Sequence, residues 1–313
     1  MRKCTWRPIS TKPITSSTSS LTEPQRLRGL VVAAFGKRYD VELPDGRLIG
    51  CVTRGKKSDL ACGDQVEIKL TEEDQGVIES MLPRSSLLYR SNEFRTKLLA
   101  ANVTQIVIVL AATPSFYEEL LNRCLIAAEA AGIRPLIVLN KADLPETPAA
   151  LARLANYRAL GYPVLQLSAK QDVTPLRPWL QGQTSVLVGQ SGMGKSTLVN
   201  TLLPDLNIRT QEISQVLDSG KHTTTATRLY HLDAESHLID SPGVQEFGLN
   251  HLGLDAMEHA FIEFRPYLGK CRFNNCRHLK EPDCAVLNAV ADGKISEFRL
   301  NSYQKLFAEL APT

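Results

Sequence analysis

One short stretch constrains the fold of this chain more than any other: Gly189-Gln190-Ser191-Gly192-Met193-Gly194-Lys195-Ser196-Thr197. It fits the phosphate-binding pattern G-x-x-x-x-G-K-[ST]. The apolar run Thr184–Val188 before it predicts a buried strand, and leucines at helical spacing follow it. Glycines let backbone N–H groups surround an anion, and the following helix adds its positive N-terminal end. The pattern therefore predicts a strand, a phosphate loop and a helix in that order.

Two side chains of this loop have expected roles toward a nucleoside triphosphate. Lys195 would reach the β- and γ-phosphates, and the Ser196 hydroxyl would bind Mg²⁺. The alternative is a chance match, which a chain of this length and average composition contains roughly one time in a hundred. The predicted strand and helix on either side argue against chance.

Two further motifs follow predicted strands upstream of the phosphate loop. Asn140-Lys141-Ala142-Asp143 comes after the run Pro135–Leu139, and Ser168-Ala169-Lys170 comes after Pro163–Leu167. Alternating strands and helices in this region predict a parallel α/β sheet, in which ligands bind at the carboxyl ends of the strands. One helix is predicted from Leu151 to Leu160.

These two motifs have the chemistry of a guanine site. A carboxylate at Asp143 can accept from the two adjacent N–H donors of guanine, a pair that adenine lacks, so it would select GTP over ATP. Asn140 would brace the loop or contact the base, and the stem of Lys141 would cover the ring. Backbone N–H groups of Ser168, Ala169 and Lys170 would meet the guanine oxygen. Each motif alone also fits an ordinary loop.

Two motifs downstream of the phosphate loop complete a GTPase set. In Lys221-His222-Thr223-Thr224-Thr225, one threonine could place its hydroxyl on Mg²⁺ and its N–H on the γ-phosphate. Asp240-Ser241-Pro242-Gly243 has the D-x-x-G pattern after a predicted strand. Asp240 would support Mg²⁺, and the Gly243 N–H would sense the γ-phosphate.

The order of these motifs along the chain is unusual. The base motifs precede the phosphate loop, whereas in ordinary small GTPases they follow it. This order is a circular permutation, which an α/β sheet with adjacent termini tolerates. The D-x-x-G motif then leads directly into the C-terminal segment, so loss of the γ-phosphate could move that segment.

The N-terminal part has a different pattern. Short alternating strands separated by turn signals predict a small β-barrel, most simply an OB-fold, from these runs: Gly29–Phe35, Tyr39–Leu43, Leu48–Thr53, Gln65–Leu70 and Gly76–Met81. Its basic residues could contact RNA phosphates or form a solvated rim; they are Arg38, Arg47, Arg54, Lys56 and Lys57. Phe35 and Tyr39 are the aromatic side chains expected on its surface.

Residues 1–26, rich in Ser and Thr, are read as a disordered basic tail, with an RNA-binding arm or a transit peptide as alternatives.

A metal-ligand pattern lies near the C-terminus, Cys271-x4-Cys276-x-His278-x5-Cys284. Three thiolates and one imidazole suit a closed, tetrahedral, structural Zn²⁺ site, with buried free thiols as the alternative. Five basic residues surround it: Arg265, Lys270, Arg272, Arg277 and Lys280. Two helices are expected after it, Cys284–Asp292 and Ile295–Leu310.

Composition narrows the class of protein. The net charge of +3 does not by itself indicate a nucleic-acid partner, and no apolar run approaches the length of a membrane span. The seven cysteines are odd in number and mostly scattered, which argues against a disulfide framework and favours a reducing compartment.

The chain resembles the RsgA family, also called YjeQ or EngC. Four features carry the resemblance: the motif order, the His222-Thr-Thr-Thr stretch, the Asp240-to-Phe247 segment and the Cys/His pattern. Members of the family are circularly permuted GTPases of small ribosomal subunit maturation. The resemblance runs from about Leu27 to Leu310 and includes Arg54-Gly55-Lys56 and the Glu281-to-Val286 segment. It implies three domains that meet the small subunit near its decoding region: an OB-fold at 27–86, a GTPase core at 87–248 and a helical zinc domain at 249–313.

The resemblance also bears on catalysis. Ras-like enzymes place a glutamine directly after the D-x-x-G glycine to orient the attacking water. Val244 occupies that position here, so slow intrinsic hydrolysis is expected. In the family, a switch-loop histidine is proposed to take over, and His222 matches it. A loop-ordering role for His222, or a role for Gln245, remains open.

These observations predict a GTPase that uses hydrolysis to time its own release from the small ribosomal subunit. The protein would bind GTP with Mg²⁺, hold the immature small subunit and its rRNA, hydrolyse GTP to GDP and phosphate when the subunit stimulates it, and then leave. It would act as a cytoplasmic monomer, away from membranes. The rival is a GTP-gated RNA-binding scaffold with incidental hydrolysis. An ATP-dependent kinase is disfavoured because Asp143 prefers guanine.

Overall fold

The computed structural model describes residues 26–55, 59–91, 96–204, 227–241 and 247–311. Over these ranges, no helix has both the length and the apolar character that crossing a lipid bilayer requires. The six cysteines within them are all free thiols.

The N-terminal strands form a closed barrel. They are β1 (Leu27–Phe35), β2 (Arg38–Glu42), β3 (Leu48–Thr53), β4 (Gln65–Leu70) and β5 (Gln75–Met81). They lie in the order β1-β2-β3-β5-β4, and β4 pairs back onto β1, which closes the barrel. Alternate residues of β2 and β3 are buried, as a strand with one face on a core requires. The barrel fits an OB-fold, and its strand bounds agree with the sequence prediction to within two residues.

The barrel surface differs from the sequence prediction at one aromatic residue. Tyr39 is only 1% exposed and donates its hydroxyl to the Gly36 carbonyl at 3.1 Å, so it belongs to the core. The prediction of a surface Tyr39 is therefore wrong, because alternation along β2 turns this residue inward. Phe35 is 40% exposed, as predicted, and the Arg228 guanidinium lies 5.5 Å from its ring centroid.

The basic rim of the barrel is partly neutralised. Arg47 pairs with Asp45 at 2.8 Å, and Arg54 pairs with Glu79 at 2.7 Å. Both arginines are largely exposed, so each pair contributes little to stability. Lys56 and Lys57 lie outside the described residues.

A hairpin leads from the barrel into an α/β layer. The hairpin strands are β6 (Leu87–Ser91) and β7 (Thr96–Ala101), and the sequence did not predict them. The strands of the layer are β8 (Gln105–Ala111), β9 (Arg134–Asn140), β10 (Val164–Gln166), β11 (Thr184–Val188), β12 (Thr227–His231) and β13 (His237–Asp240). Their order is β10-β9-β8-β11-β13-β12, all parallel except β12. Every residue of β8 is buried, which fits a central strand of a parallel sheet.

The helices of this layer are α1 (Glu118–Ala130), α2 (Thr147–Arg153), α3 (Ala155–Ala159), α4 (Arg177–Leu180) and α5 (Lys195–Leu202). The single helix predicted for Leu151–Leu160 is wrong. It is divided at Leu154, which ends α2 and begins α3. Leu154 and Tyr157 are both buried, so the apolar residues of this stretch mark side chains that pack into the core and do not require one continuous helix.

The barrel and the α/β layer share one sheet. Strand β1 pairs with β12 through Ala33 with Arg228 and Ala34 with Thr227, so the layer continues into the barrel. Asn102, between β7 and β8, adds a contact between the two units because its side chain donates to the Gly63 carbonyl of the barrel at 2.9 Å. The two units are therefore joined by backbone pairing as well as by side chains.

The C-terminal region comprises α6 (Leu254–Ala260), α7 (Ala285–Ala291) and α8 (Glu297–Leu310), of which α6 and α8 contact α1. Arg299 of α8 is fully buried and donates to Glu263 at 2.5 Å and to Asn122 of α1 at 2.6 Å. Removing one partner would leave a buried charge uncompensated, which typically costs about 3–5 kcal/mol. The buried ion pair thus lies within the C-terminal region, and the hydrogen bond from Arg299 to Asn122 joins that region to α1. The predicted helices Cys284–Asp292 and Ile295–Leu310 match α7 and α8 to within two residues.

Candidate guanine-nucleotide site and metal centre

The phosphate loop joins β11 to α5, as the sequence predicts. Gly189 has φ +145° and Gly194 has φ +94°, conformations that favour glycine. Space imposes the same choice, because a Cβ at Gly189 would lie 2.3 Å from the Val109 carbonyl oxygen. A Cβ at Gly194 would lie 2.3 Å from Nδ2 of Asn140. The loop is therefore pressed against the ends of β8 and β9.

Lys195 begins α5 and is buried. Its Nζ donates to the carbonyls of Gly189 at 2.6 Å and Gln190 at 2.8 Å, so the ammonium lies inside the loop. Burial lowers the pKa of Lys195, and the Asp240 carboxylate opposes that shift. Burial likewise raises the pKa of Asp240, and Lys195 opposes it. Asp240 ends β13 in register with Leu187 of β11, so its carboxylate lies at the same edge of the sheet as the phosphate loop.

Asn140 connects three loops that are distant in sequence. Its Nδ2 donates to the Met193 carbonyl of the phosphate loop at 2.9 Å. Its Oδ1 accepts from the backbone N–H of Ala169 at 2.9 Å. The side chain is 2% exposed, and both of its polar atoms are used within the protein. Of the two roles considered for Asn140, the geometry favours bracing the loops over contacting the base.

The side chain expected to select guanine is available for a ligand. Asp143 is exposed, and the Ser168 side chain, with smaller contributions from Lys170 and Lys141, lowers its pKa. The backbone N–H of Ala142 donates to the Leu167 carbonyl at 3.0 Å, so the two base motifs lie side by side. Lys141 donates its Nζ to the Thr113 carbonyl at 2.7 Å. An ionised Asp143 beside these backbone groups can accept the paired N–H donors of guanine.

The loop between β8 and α1 also borders the site, and the sequence analysis missed it. The Tyr117 backbone N–H donates to Oε1 of Gln190 at 2.8 Å. Pro114 lies against Gly192, where an added Cβ would approach its Cγ to 3.3 Å. The segment carries no nucleotide-binding motif, so only its position in the sheet reveals it.

The remaining predicted residues differ in their surroundings. Ser191 and Ser196 are exposed, Thr197 is half-buried, and Met193 is fully buried below the loop. The exposed Ser196 hydroxyl and the desolvated Asp240 carboxylate fit the oxygen ligands that Mg²⁺ prefers. His222, Thr223, Thr224, Thr225 and Gly243 lie outside the described residues.

The predicted metal ligands converge in the C-terminal region. The ligand atoms of Cys271, Cys276, His278 and Cys284 all lie within 4.8 Å of one another. The Cys271 and Cys284 sulfurs are 3.8 Å apart, and Nδ1 of His278 lies 3.2 Å from the Cys284 sulfur. Tetrahedral zinc with Zn–S bonds near 2.3 Å requires S···S separations of about 3.8 Å. Burial raises the pKa of Cys276 to about 12 and also raises the pKa of Cys284, and a bound cation would favour the thiolate form of both.

Surrounding groups hold this cluster in shape. His278 has φ +57°, an uncommon conformation for a residue with a side chain. Nε2 of His278 is buried and lies 3.4 Å from the Glu258 carboxylate without meeting the geometry of a hydrogen bond. Burial disfavours ionisation of Glu281, but backbone N–H groups, led by that of Arg277, lower its pKa to about 2. The chain around the ligands is thus fixed by a carboxylate that accepts backbone hydrogen bonds.

Together, the fold and the site define a P-loop GTPase whose chain is circularly permuted, with the base loops preceding the phosphate loop. The family model described as RsgA GTPase matches residues 81–250. The small ribosomal subunit biogenesis GTPase RsgA of Nitrosospira multiformis is 56% identical over 292 residues, covering 93% of each chain. The protein of the same name from Neisseria gonorrhoeae is 52% identical over 294 residues, covering 94% of this chain and 96% of its own. This chain belongs to the RsgA GTPase family.

Solved structures agree with this assignment. YjeQ from Thermotoga maritima superposes with a TM-score of 0.70 at 31% identity, covering 91% of this chain and 99% of its own. YloQ, described as a circularly permuted GTPase, superposes with a TM-score of 0.68 at 28% identity, covering 92% and 97%. The permuted order inferred from the motifs is therefore confirmed.

Proposed function

We propose that this GTPase binds the small ribosomal subunit, assists its late maturation in the cytoplasm, and uses GTP hydrolysis to time its own release. The observation that carries the proposal is the junction at Asn140, which brings the two base loops and the phosphate loop to one edge of the sheet. The name of the relatives from Nitrosospira multiformis and Neisseria gonorrhoeae, small ribosomal subunit biogenesis GTPase RsgA, supplies the partner. The two nucleotide states must differ in affinity for the subunit for such a cycle to run.

The described residues support distinct steps of nucleotide binding. Asp143 would accept from the guanine edge, and Lys195 would turn from the loop carbonyls to the phosphates. Ser196 and Asp240 would hold Mg²⁺, which when bound neutralises charge on the β- and γ-phosphate oxygens. Because burial disfavours ionised Asp240 and protonated Lys195, each is stabilised by the charge of the other in this site.

For the attack of water, we propose His222 as the residue that orients or deprotonates it, with Gly243 sensing the γ-phosphate and one of Thr223, Thr224 or Thr225 completing the Mg²⁺ shell. The support is Val244, which cannot hydrogen-bond a water where Ras-like enzymes have glutamine. Single-turnover hydrolysis with small subunits present tests this. His222→Ala should slow the chemical step by about 10²-fold or more; an unimpaired variant would remove His222 from catalysis.

The proposed organisation has an OB-fold at 27–86, a GTPase domain at 87–248 and a zinc domain at 249–313, acting as a monomer on rRNA. The Cys/His cluster would hold a structural Zn²⁺, since its four ligands leave no open position for chemistry. The described contacts between units, β1 with β12 and Arg299 with Asn122, support binding as one rigid body.

The function is tested by steady-state GTP hydrolysis with and without purified small ribosomal subunits, with ATP as the control nucleotide. Strong stimulation, specific to GTP and to the small subunit, is expected. A GTP-gated scaffold is the second candidate, favoured by Val244. Intact GTP binding with no stimulation would establish the scaffold instead.

A further inference from the structure

The C-terminal region carries an exposed loop, Arg272–Asn275, which we name the knuckle loop. It begins after Cys271 and ends before Cys276, so both of its ends are members of the Cys/His cluster. The Cys276 backbone N–H donates to the Phe273 carbonyl at 3.2 Å, which closes the loop as a turn. The loop is therefore short and held at both ends, and all four of its residues are exposed.

Phe273 at the centre of this loop is 42% exposed. Its neighbour Arg272 lies with its guanidinium carbon 5.5 Å from the ring centroid. Arg272 is held there by Asp283, whose carboxylate accepts from Nη1 at 2.9 Å and whose carbonyl accepts from the backbone N–H at 3.3 Å. A planar cation and an aromatic ring are thus positioned side by side at the surface.

The rest of the loop carries groups that match a nucleobase and its backbone. Asn274 and Asn275 each offer a carboxamide, which can donate to and accept from a base edge. Lys270 and Lys280 are exposed on either side of the cluster and can meet phosphate. Residues 265–284 contain five basic and two acidic residues. Three of these basic residues pair with carboxylates, Arg265 with Glu129, Arg272 with Asp283 and Arg277 with Asp255. The positive charge offered to an RNA phosphate therefore comes from Lys270 and Lys280.

From these contacts we propose that the knuckle loop binds an unpaired RNA nucleotide, with its base stacked on Phe273, its edge at Asn274 or Asn275, and its backbone at Lys270 or Lys280. Only an unpaired base offers a free face for stacking on an aromatic side chain. The inference rests on the proposed function, since it gives one chemical contact through which the protein would hold rRNA.

The test compares three variants of the full chain, Phe273→Ala, Phe273→Tyr and Lys270→Ala, for binding to a labelled single-stranded oligoadenylate, to a duplex RNA and to purified small subunits. Phe273→Ala should weaken single-strand binding by roughly 5- to 150-fold, the usual range for one stacked base. Phe273→Tyr should bind like wild type because its ring still stacks. Duplex binding should change little in either variant.

Salt dependence separates stacking from charge. Phe273→Ala should keep the wild-type slope of log affinity against log salt, whereas Lys270→Ala should reduce its magnitude by about 0.7 for each lost contact to a single strand. Metal content by mass spectrometry, equal in all variants, confirms that the cluster is intact.

The outcomes are distinct. Unchanged single-strand affinity in Phe273→Ala overturns the proposal. Weaker binding to subunits with unchanged binding to single-stranded RNA also overturns it, in favour of contact with a ribosomal protein. If wild type shows no subunit-stimulated hydrolysis, the proposed function fails whatever the variants do. If wild type is stimulated and Phe273→Ala binds normally, only this inference fails.

Discussion

The nucleotide site and the metal centre of this chain are assembled in opposite ways. The nucleotide site takes its groups from loops far apart in sequence: Asn140 bonds to Met193, 53 residues away. The metal centre takes all its ligands from one segment, in which Cys271 and Cys284 are 13 residues apart. The first depends on the register of a buried sheet, and the second depends on the turns of one short segment that could hold a metal ion.

This difference predicts how the nucleotide and the metal ion each affect the stability of the surrounding structure. The loops of the nucleotide site are held by β8, β9 and β11, which are almost wholly buried, so the site should persist without its ligand. The candidate metal ligands gather in a region of turns between Phe261 and Cys284, where burial raises the pKa of Cys276 and of Cys284. Metal binding should therefore contribute to local folding, and nucleotide binding should not.

The largest expected effect comes from breaking the metal centre. Structural zinc in small domains binds with roughly 10–16 kcal/mol, most of which is folding free energy. Cys284→Ser should release the metal, expose Cys271 and Cys276 to thiol reagents and lower the melting temperature, with GTP affinity unchanged. Cys51→Ser, at a buried cysteine of the barrel, is the matched control and should keep the metal. Metal content, thiol titration and thermal unfolding measure these effects; a Cys284→Ser protein that retains metal and melts like wild type contradicts the comparison.

A smaller but more selective effect is expected at the nucleotide site from Asp143→Asn. The amide loses the charge that accepts two guanine N–H groups, so GTP affinity should fall roughly 100-fold. Xanthosine triphosphate presents an oxygen where guanine has an amino group, and the new amide can donate to it. Titration calorimetry measures how the affinities for GTP and for xanthosine triphosphate change. Equal loss for both would mean that Asp143 shapes the loop and does not read the base.

The smallest effect is a shift in pH dependence. The Ser168 side chain lowers the pKa of Asp143, so the carboxylate stays ionised, and able to bind guanine, to lower pH. Ser168→Ala removes this and should raise that pKa, so GTP binding is lost at a less acidic pH while binding at neutral pH is nearly unchanged. GTP affinity measured between about pH 4 and pH 7 reports the midpoint. A midpoint that stays in place, or moves down, would exclude Ser168 as the cause.

Local patterns in the sequence predicted most elements correctly. The barrel strands follow a period of two, and the phosphate-loop glycines occupy conformations that glycine favours. The prediction failed where packing outweighs pattern. Leu151–Leu160 has helical spacing but divides at buried Leu154. Tyr39 is a different case, because the period of two along β2 places it on the buried face with Val41, and the prediction did not apply that period to it.

The amino-acid sequence alone determined the family, the permuted order of the motifs and the four candidate metal ligands, because each is a short-range pattern in which spacing defines the chemistry. Tertiary structure decided which groups meet. It assigned Asn140 to bracing three loops, placed the segment at Pro114 and Tyr117 beside the phosphate loop, and joined the barrel to the GTPase sheet through β1 and β12. These contacts depend on sheet register and on burial across long sequence separations, and no local pattern encodes either.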